Sequence, residues 1–527
     1  MNDADPRDRL YQGKFQPQAL VHGLSYDLER PLLHCDNKTI TAGEFRDLTS
    51  QYCQAFGAAG MGKGARIAIL SGNRSEVLCV TAACLLGQFV LVPLHPASSQ
   101  DDLLFAIEDS AAQALIFDPR LYSQRAAKIQ ERVPGCLLLS LGPSGIGKDL
   151  CALAAAARPA PLIAPQVTAD DPYRLSYSGG TTGRPKAVIG TQRTGAAVLM
   201  IQLAEWEWPS KIRQLVCAPL SHAGAAMFLP TLLRGGSMVI LPGFDPITVM
   251  SAIQTHRVNC VLLVPTMIYA LLNHPRLAEF DLSSLETVFY GASAMSPARL
   301  REAIAKFGPV FFQFYGQVEA PMTITVLRRS EHDIDDPHRL ASCGRPVPWV
   351  DVALLDDKLR EVPPGEAGEI CVRGPLVMSG YFNRPELTAE AFAGGWLHTG
   401  DIAVCDPAGF LRIVDRKKDM IVTGGFNVYP REIEDVLSSH PAVSNCAVIG
   451  IPDEHWGEAV KAVVVLRNGA TTCVDELKAF VRDRKGPIQT PKSVDFVSAI
   501  PLTPVGKPDK KKLRAQLLAN EKAIAHG

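Results

Sequence analysis

The run Ser178 to Lys186 (SGGTTGRPK) concentrates residues suited to holding an anion. Gly179, Gly180 and Gly183 let the backbone bend and bring its N–H groups close to a phosphate, the hydroxyls of Thr181 and Thr182 add donors, and Lys186 supplies charge. Pro185 before the lysine and Ala187 after it separate this run from the common loop in which Gly-Lys is followed by Ser or Thr. In Gln313 to Glu319 (QFYGQVE), Tyr315 can offer a flat face to a purine and Glu319 can hold magnesium bridging a triphosphate. Thr399-Gly400-Asp401, followed by Asp415 to Asp419 (DRKKD), supplies an aspartate after a tight turn that can accept from both ribose hydroxyls, and Arg416 to donate to the same sugar. Pro501 to Lys510 (PLTPVGKPDK) presents Lys507 from a loop between Gly506 and Pro508. Singly, each block has a bland reading: a polar turn, a packed aromatic, an aspartate serving its own backbone, a solvated lysine.

The elements that must position these residues are legible as apolar runs. Tyr173 to Tyr177 is strand-like and leads into the glycine loop, and Val310 to Phe312 leads into QFYGQVE. Strand-like Ala65 to Leu70 and Gln113 to Phe117 alternate with helical stretches such as Asp101 to Ser110. The same rhythm returns between Leu215 and Glu319 through VCAPL, SMVIL, CVLLVP and TVFYG, which implies parallel sheets covered by helices. Val77 to Leu94 approaches a membrane-spanning length, but Gly87, Gln88 and Pro93 interrupt it, so it reads as a buried helix followed by a core strand. From Tyr429 the texture changes. Pro430 opens a helix with Ile433, Val436 and Leu437 on one face, CAVIGIP and VKAVVVL read as strands, and Val474 to Arg484 reads as a helix. This predicts a small α+β domain of about a hundred residues, with its boundary near Asp415 to Asp419 (DRKKD), a charged segment between apolar runs that reads as exposed.

The totals agree with a large folded enzyme. A chain of 527 residues exceeds what one core can serve, and 47% apolar with 20% charged residues leaves no signature of disorder. A net charge of −1 argues against nucleic acid held on a broad basic face. The 13 cysteines show no CxxC pair, which fits a reduced cytoplasm better than a disulfide framework or a zinc site. MNDADPRDRLYQG lacks the apolar stretch of an export signal.

In their order and separations the four blocks resemble the superfamily of acyl- and aryl-CoA synthetases, amino-acid adenylation domains and beetle luciferases. Further matches are PLSH at Pro219 to His222, VPT at Val264 to Thr266, GAS at Gly291 to Ser293, GEICVRGPLVMSGY at Gly368 to Tyr381 and GGFNVYPREIE at Gly424 to Glu434. The resemblance implies an α/β fold: a large N-terminal domain of stacked α/β subdomains over 1–415, a hinge at 416–419 and a small mobile α+β domain over 420–527. It implies ATP, Mg2+ and coenzyme A as the small molecules handled. Ser178 to Lys186 would grip the β- and γ-phosphates, Gly291, Ala292, Ser293, Gln313 and Tyr315 would frame adenine, and Glu319 with Thr182 would bind magnesium. Asp401 and Arg416 would take the ribose, and Lys507 would bridge the carboxylate and the α-phosphate. Lys418 matches the hinge, Gly424 and Gly425 match the lining of a pantetheine tunnel, and His222 matches the gate between that tunnel and the acyl pocket.

Three positions depart from the family pattern: Gly179 where a serine is usual, Ala187 where a glycine is usual, and Val318 where a threonine hydroxyl usually meets the α-phosphate. PLSHAGAAMF carries no acidic residue to hold an amino acid's ammonium, and no basic residue lies in that segment to pair with a second carboxylate. The small residues Ala223, Gly224, Ala225 and Ala226, with Gly291 and Ala292, instead predict an uncharged pocket for an apolar fatty, aryl or alicyclic acid. With the chain ending at Gly527, the acceptor is expected to diffuse in as CoA. A separate carrier protein, and a luciferase-like or ligand-binding protein making no thioester, are the alternatives. A homodimer is left open.

Overall fold

The computed structural model describes residues 14–525, except 37, 179–184, 418, 424–425, 454–455 and 504–507. Two parallel-rich sheets form the larger part. In the first, strands run in the order Lys148–Asp149, Leu137–Ser140, Ala114–Phe117, Arg66–Leu70, Val90–Pro93, Pro172–Ser178 and Lys186–Thr191. The pair Pro172–Ser178 and Lys186–Thr191 is antiparallel, with Ser178 opposite Lys186. The two strands that flank the glycine run in sequence therefore pair at the edge of a parallel sheet. Val77 to Leu94 splits as expected into the helix Ser75–Leu86 and the fully buried strand Val90–Pro93.

The second sheet holds the Leu215 to Glu319 rhythm at its centre. Arg213–Val216, Ser237–Ile240, Cys260–Leu263 and Thr287–Tyr290 run parallel, with Phe311–Gln317 beside the last. Helices Pro246–His256, Pro265–Leu272 and Pro297–Phe307 pack one apolar face of it. The strand after Thr287–Tyr290 runs five residues past Phe312 to Gln317, and turns back through Val318 and Glu319 into Ala320–Leu327, with Gln317 opposite Ala320. Glu319 thus sits on a two-residue turn, and Val318 packs against the main core.

Asp351 to Arg416 forms a separate antiparallel sheet of Asp351–Leu355, Ala367–Arg373, Leu397–Cys405 and Leu411–Arg416. The sheet is antiparallel throughout, and the connection from Ala367–Arg373 to Leu397–Cys405 carries the short helix Pro385–Ala391. Asp401 lies within a strand directly opposite Arg416, and the expected tight turn is confined to Gly400, whose φ of 71° suits glycine. Asp415 is also corrected. DRKKD reads as an exposed linker, but the strand continues through Arg416, and Asp415 is buried, accepting from the N–H groups of Arg416 and Arg431.

The last sheet comprises Phe426–Val428, Ile421–Thr423, Gly457–Leu466, Val443–Asp453 and Ser493–Phe496. The helix Pro430–Ser438 buries Ile433 and Leu437 against it, as the spacing predicts. The helix expected from Val474 runs on to Gln489 across a break at Gly486. No described helix is long and apolar enough to cross a membrane.

Candidate active site

The ends of distant strands bring the sequence candidates together. Gly291 ends the strand Thr287–Tyr290, where a Cβ would lie 2.3 Å from the Phe314 carbonyl oxygen, so only glycine lets these two backbones approach. Ala292 follows in a left-handed conformation with φ of 66°, a strained geometry for a residue with a Cβ. Gln313 is buried and accepts a 3.3 Å bond from the Tyr290 hydroxyl, so its side chain is committed to the sheet. Tyr315, two residues on, donates its hydroxyl to Asp401 Oδ2 at 2.7 Å.

Asp401 is 5% exposed, and its other oxygen meets Arg416 Nε at 3.2 Å. A carboxylate offers about four acceptor lone-pair sites, so two contacts leave capacity for further hydroxyls. Burial works against the Arg416 charge, but Asp401, Asp419, Tyr315 and Glu319 together hold its pKa above the ordinary arginine value. Burial and then Asp401 keep Tyr315 protonated. Thr399, Gly400, Arg416 and Lys417 line a cleft of about 330 Å3 beside these groups, at the small end of the range for ligand sites. Behind it, buried Glu369 accepts from the Gly400 N–H at 2.9 Å and meets His398 Nδ1 at 3.1 Å, which fixes the bend that presents Asp401.

Lys186 and Glu319 meet through a residue that no sequence argument gave a role. The Lys186 ammonium lies 4.9 Å above the centre of the Tyr381 ring, and the Tyr381 hydroxyl donates to Glu319 Oε1 at 3.0 Å. The backbone repeats the connection, with Val188 bridged to Tyr381 and the Met378 N–H donating to the Glu319 carbonyl at 2.8 Å. Arg416, which feels both Asp401 and Glu319, joins this group to the cleft.

On the other flank, the loop carrying His222 is held at three points. Asn73 donates to the Ala218 carbonyl and accepts from the Leu220 N–H, and Arg174 donates to the Ser221 carbonyl at 2.8 Å. Gly224 is required because a Cβ would sit 2.6 Å from the Ala218 oxygen. His222 Nδ1 lies 3.0 Å from Ser221 Oγ, and its ring meets that of His95 edge to face at 4.6 Å. Burial first, then the charges of His95 and Arg174, push the His222 pKa down to about 3, and burial pushes His95 down to about 4. Both rings are neutral near pH 7. The segment PLSHAGAAMF itself carries no acidic or basic partner, as expected, but Arg174, 47 residues before Ser221, brings a cation to this loop.

Comparison with known proteins identifies the family. Residues 24–382 match the family model of the AMP-binding enzyme, and residues 432–507 match the AMP-binding enzyme C-terminal domain. The chain belongs to the AMP-binding enzyme family. A medium/long-chain-fatty-acid–CoA ligase of Mycobacterium tuberculosis is 49% identical over 94% of this chain and 89% of its own. A feruloyl-CoA synthase of an Amycolatopsis species is 39% identical over 90% and 93%. Among solved structures, an amide bond synthetase from Marinactinospora thermotolerans superposes with a TM-score of 0.87 at 34% identity, covering 95% of this chain and 99% of that one.

Of the candidates expected of an AMP-binding enzyme, Lys186 and Glu319 are joined through Tyr381, Tyr315 and Arg416 through Asp401, and Gly291 approaches Phe314 beside Tyr315, with Ala292 and Ser293 next in the chain, while His222, Ala223 and Gly224 follow the Ser221 carbonyl held by Arg174. Gly179, Gly180, Thr181, Thr182, Gly183, Lys418, Gly424, Gly425 and Lys507 lie outside the described residues. Ser178 ends its strand. Tyr381, Arg174, His95 and Asn73 were missed. Tyr381 alone carried a signal, as the last residue of a family-like block.

Proposed function

We propose that this AMP-binding enzyme is an ATP-dependent acyl-CoA synthetase acting on an apolar carboxylic acid. In the first step a carboxylate oxygen attacks the α-phosphorus of ATP, forming an acyl-phosphate bond as the bond to pyrophosphate breaks. In the second, the CoA sulfur attacks the acyl carbonyl, the bond to AMP breaks and the thiol proton is lost. The observation that carries this reading is the pair of contact chains Lys186–Tyr381–Glu319 and Tyr315–Asp401–Arg416, two cations and two carboxylates drawn from distant parts of the chain and linked by the pull of Glu319 on Arg416.

Within this reading, Asp401 and Arg416 hold the ribose, the face of Tyr315 with Gly291, Ala292 and Ser293 frames adenine, and Lys186 with Ser178 to Gly183 takes the terminal phosphates. Glu319, its Oε1 braced by Tyr381, is a hard oxygen donor of the kind Mg2+ accepts, and Thr182 would complete that set. Magnesium bound there neutralises polyphosphate charge. Lys507 supplies the cation at the reacting carboxylate. A division into 1–415, a hinge at 416–419 and 420–527 would let the small domain withdraw Lys507 between steps. That division is supported by the separate core of the last sheet and by its thin contact with the rest, such as Arg431 Nη2 donating to the Met295 carbonyl at 3.1 Å. A cytoplasmic site of action fits a chemistry that draws on ATP and CoA.

Pyrophosphate release measured over fatty, aryl and alicyclic acids, with and without CoA, tests the reading. Acid-dependent release, with thioester formed only when CoA is present, is expected; release without acid would contradict it. The likeness to an amide bond synthetase favours a second reading, transfer to an amine, which the same assay separates by giving an amide and no thioester.

A further inference from the structure

Beside the loop of His222 stand one buried hydrogen-bond donor without an acceptor and a guanidinium only partly used. His95 Nδ1 accepts from the Ala97 N–H at 3.1 Å, so the proton of this neutral ring sits on Nε2. His95 is 9% exposed, and among the described residues its Nε2 meets no hydrogen-bond partner. A buried donor without an acceptor is destabilising in the folded chain unless a ligand supplies one. Arg174 is the second donor. It spends Nε on Ser176 Oγ at 2.8 Å and one terminal nitrogen on the Ser221 carbonyl, and among the described residues it forms no ion pair with a carboxylate. A guanidinium carries five N–H donors, so this fork is only partly used. His222 neighbours both, in ring contact with His95 and within the electrostatic reach of Arg174.

We propose that Arg174 and His95, both neighbours of His222, form a subsite for an oxygen acceptor, the carbonyl or carboxylate oxygen of a ligand. This rests on the ligase reading, under which two molecules bring such an oxygen past His222. One is the acid, if its tail carries a distal oxo or carboxyl group. The other is the thiol co-substrate, whose arm carries amide carbonyls. Either supplies the acceptor that the protein withholds. The arginine thereby becomes a specificity-determining residue as well as a support for the loop.

Two half-reactions of the intact enzyme distinguish the sources. The acid arm follows pyrophosphate release without CoA for pairs of acids of equal length, one with a distal oxo or carboxyl group and one without. The thiol arm supplies preformed acyl-AMP and compares CoA with a simple alkyl thiol that lacks amides. The wild type is expected to prefer the oxygen-bearing partner in at least one arm, and Arg174→Met to remove that preference by about tenfold to a hundredfold, the effect of losing a charged hydrogen bond. Arg174→Lys, which keeps the charge, is expected to recover part of it. The arm that responds identifies the ligand. No preference in either arm, or a fall of equal size for every substrate in both arms, overturns the subsite and leaves Arg174 as a support for Ser221. Absence of any acid-dependent pyrophosphate release by the wild type overturns the ligase reading and the subsite with it.

Discussion

Replacing Tyr381 by phenylalanine isolates a single bond of the phosphate region. The ring stays, so the Lys186 ammonium keeps its aromatic partner at 4.9 Å, and only the 3.0 Å donation to Glu319 Oε1 is lost. A hydrogen bond to a charged group is worth about 1.5–3 kcal/mol, which corresponds to a fall of about tenfold to a hundredfold if the bond is made in the transition state. Water entering the half-buried site replaces part of it, so the lower figure is expected. The assay is acid-dependent ATP–pyrophosphate exchange at increasing Mg2+, beside thioester formation from supplied acyl-AMP. Tyr381→Phe is expected to slow exchange about tenfold and raise the Mg2+ requirement while leaving the second step unchanged. Combined with Glu319→Gln it is expected to add little, because both remove one interaction. Unchanged exchange, or fully additive losses in the double variant, would refute the coupling of Tyr381 to Glu319.

Lys507→Ala is expected to abolish most adenylate formation yet spare transfer from supplied acyl-AMP; equal loss of both steps would contradict the assigned role. Gly291→Ala sets a Cβ 2.3 Å from a backbone oxygen and is expected to cost about 2 kcal/mol or more, seen as a lowered midpoint in thermal unfolding. The pH dependence has a definite sign. His95 and His222 are held below the ordinary histidine value, at about 4 and about 3, so the unfolded chain binds their protons first as pH falls below about 6.5. Stability should therefore decline from pH 6.5 toward 4, by up to about 3 kcal/mol for His95 alone, and His95→Gln should flatten that decline in thermal unfolding across pH.

The sequence made the strands and phosphate blocks legible because each is local: an apolar run of fixed period, or a cluster of glycines and hydroxyls. The buried helix and strand of Val77 to Leu94 and the helix face of Ile433 and Leu437 were readable for the same reason. Contacts between elements distant in sequence were not. Tyr381 reaches Glu319 across 62 residues, and Arg174 reaches Ser221 across 47, with nothing in either neighbourhood to announce the partner. Asp415 misled because a run of charges reads as solvated, whereas strand pairing opposite Ile402 draws that carboxylate inside, where burial pushes its pKa up to about 6. Asp401, an ambiguous turn residue in isolation, became informative only once its two oxygens were seen to meet Tyr315 and Arg416.

The most direct measurement is the product balance of a complete turnover with ATP, an apolar acid and CoA. Activation at the α-phosphorus requires AMP, pyrophosphate and acyl thioester in equal amounts, with none formed when the acid is left out. ADP and inorganic phosphate in their place would mean attack at the γ-phosphorus, and the roles given to Lys186, Glu319, Asp401 and Arg416 would fall together.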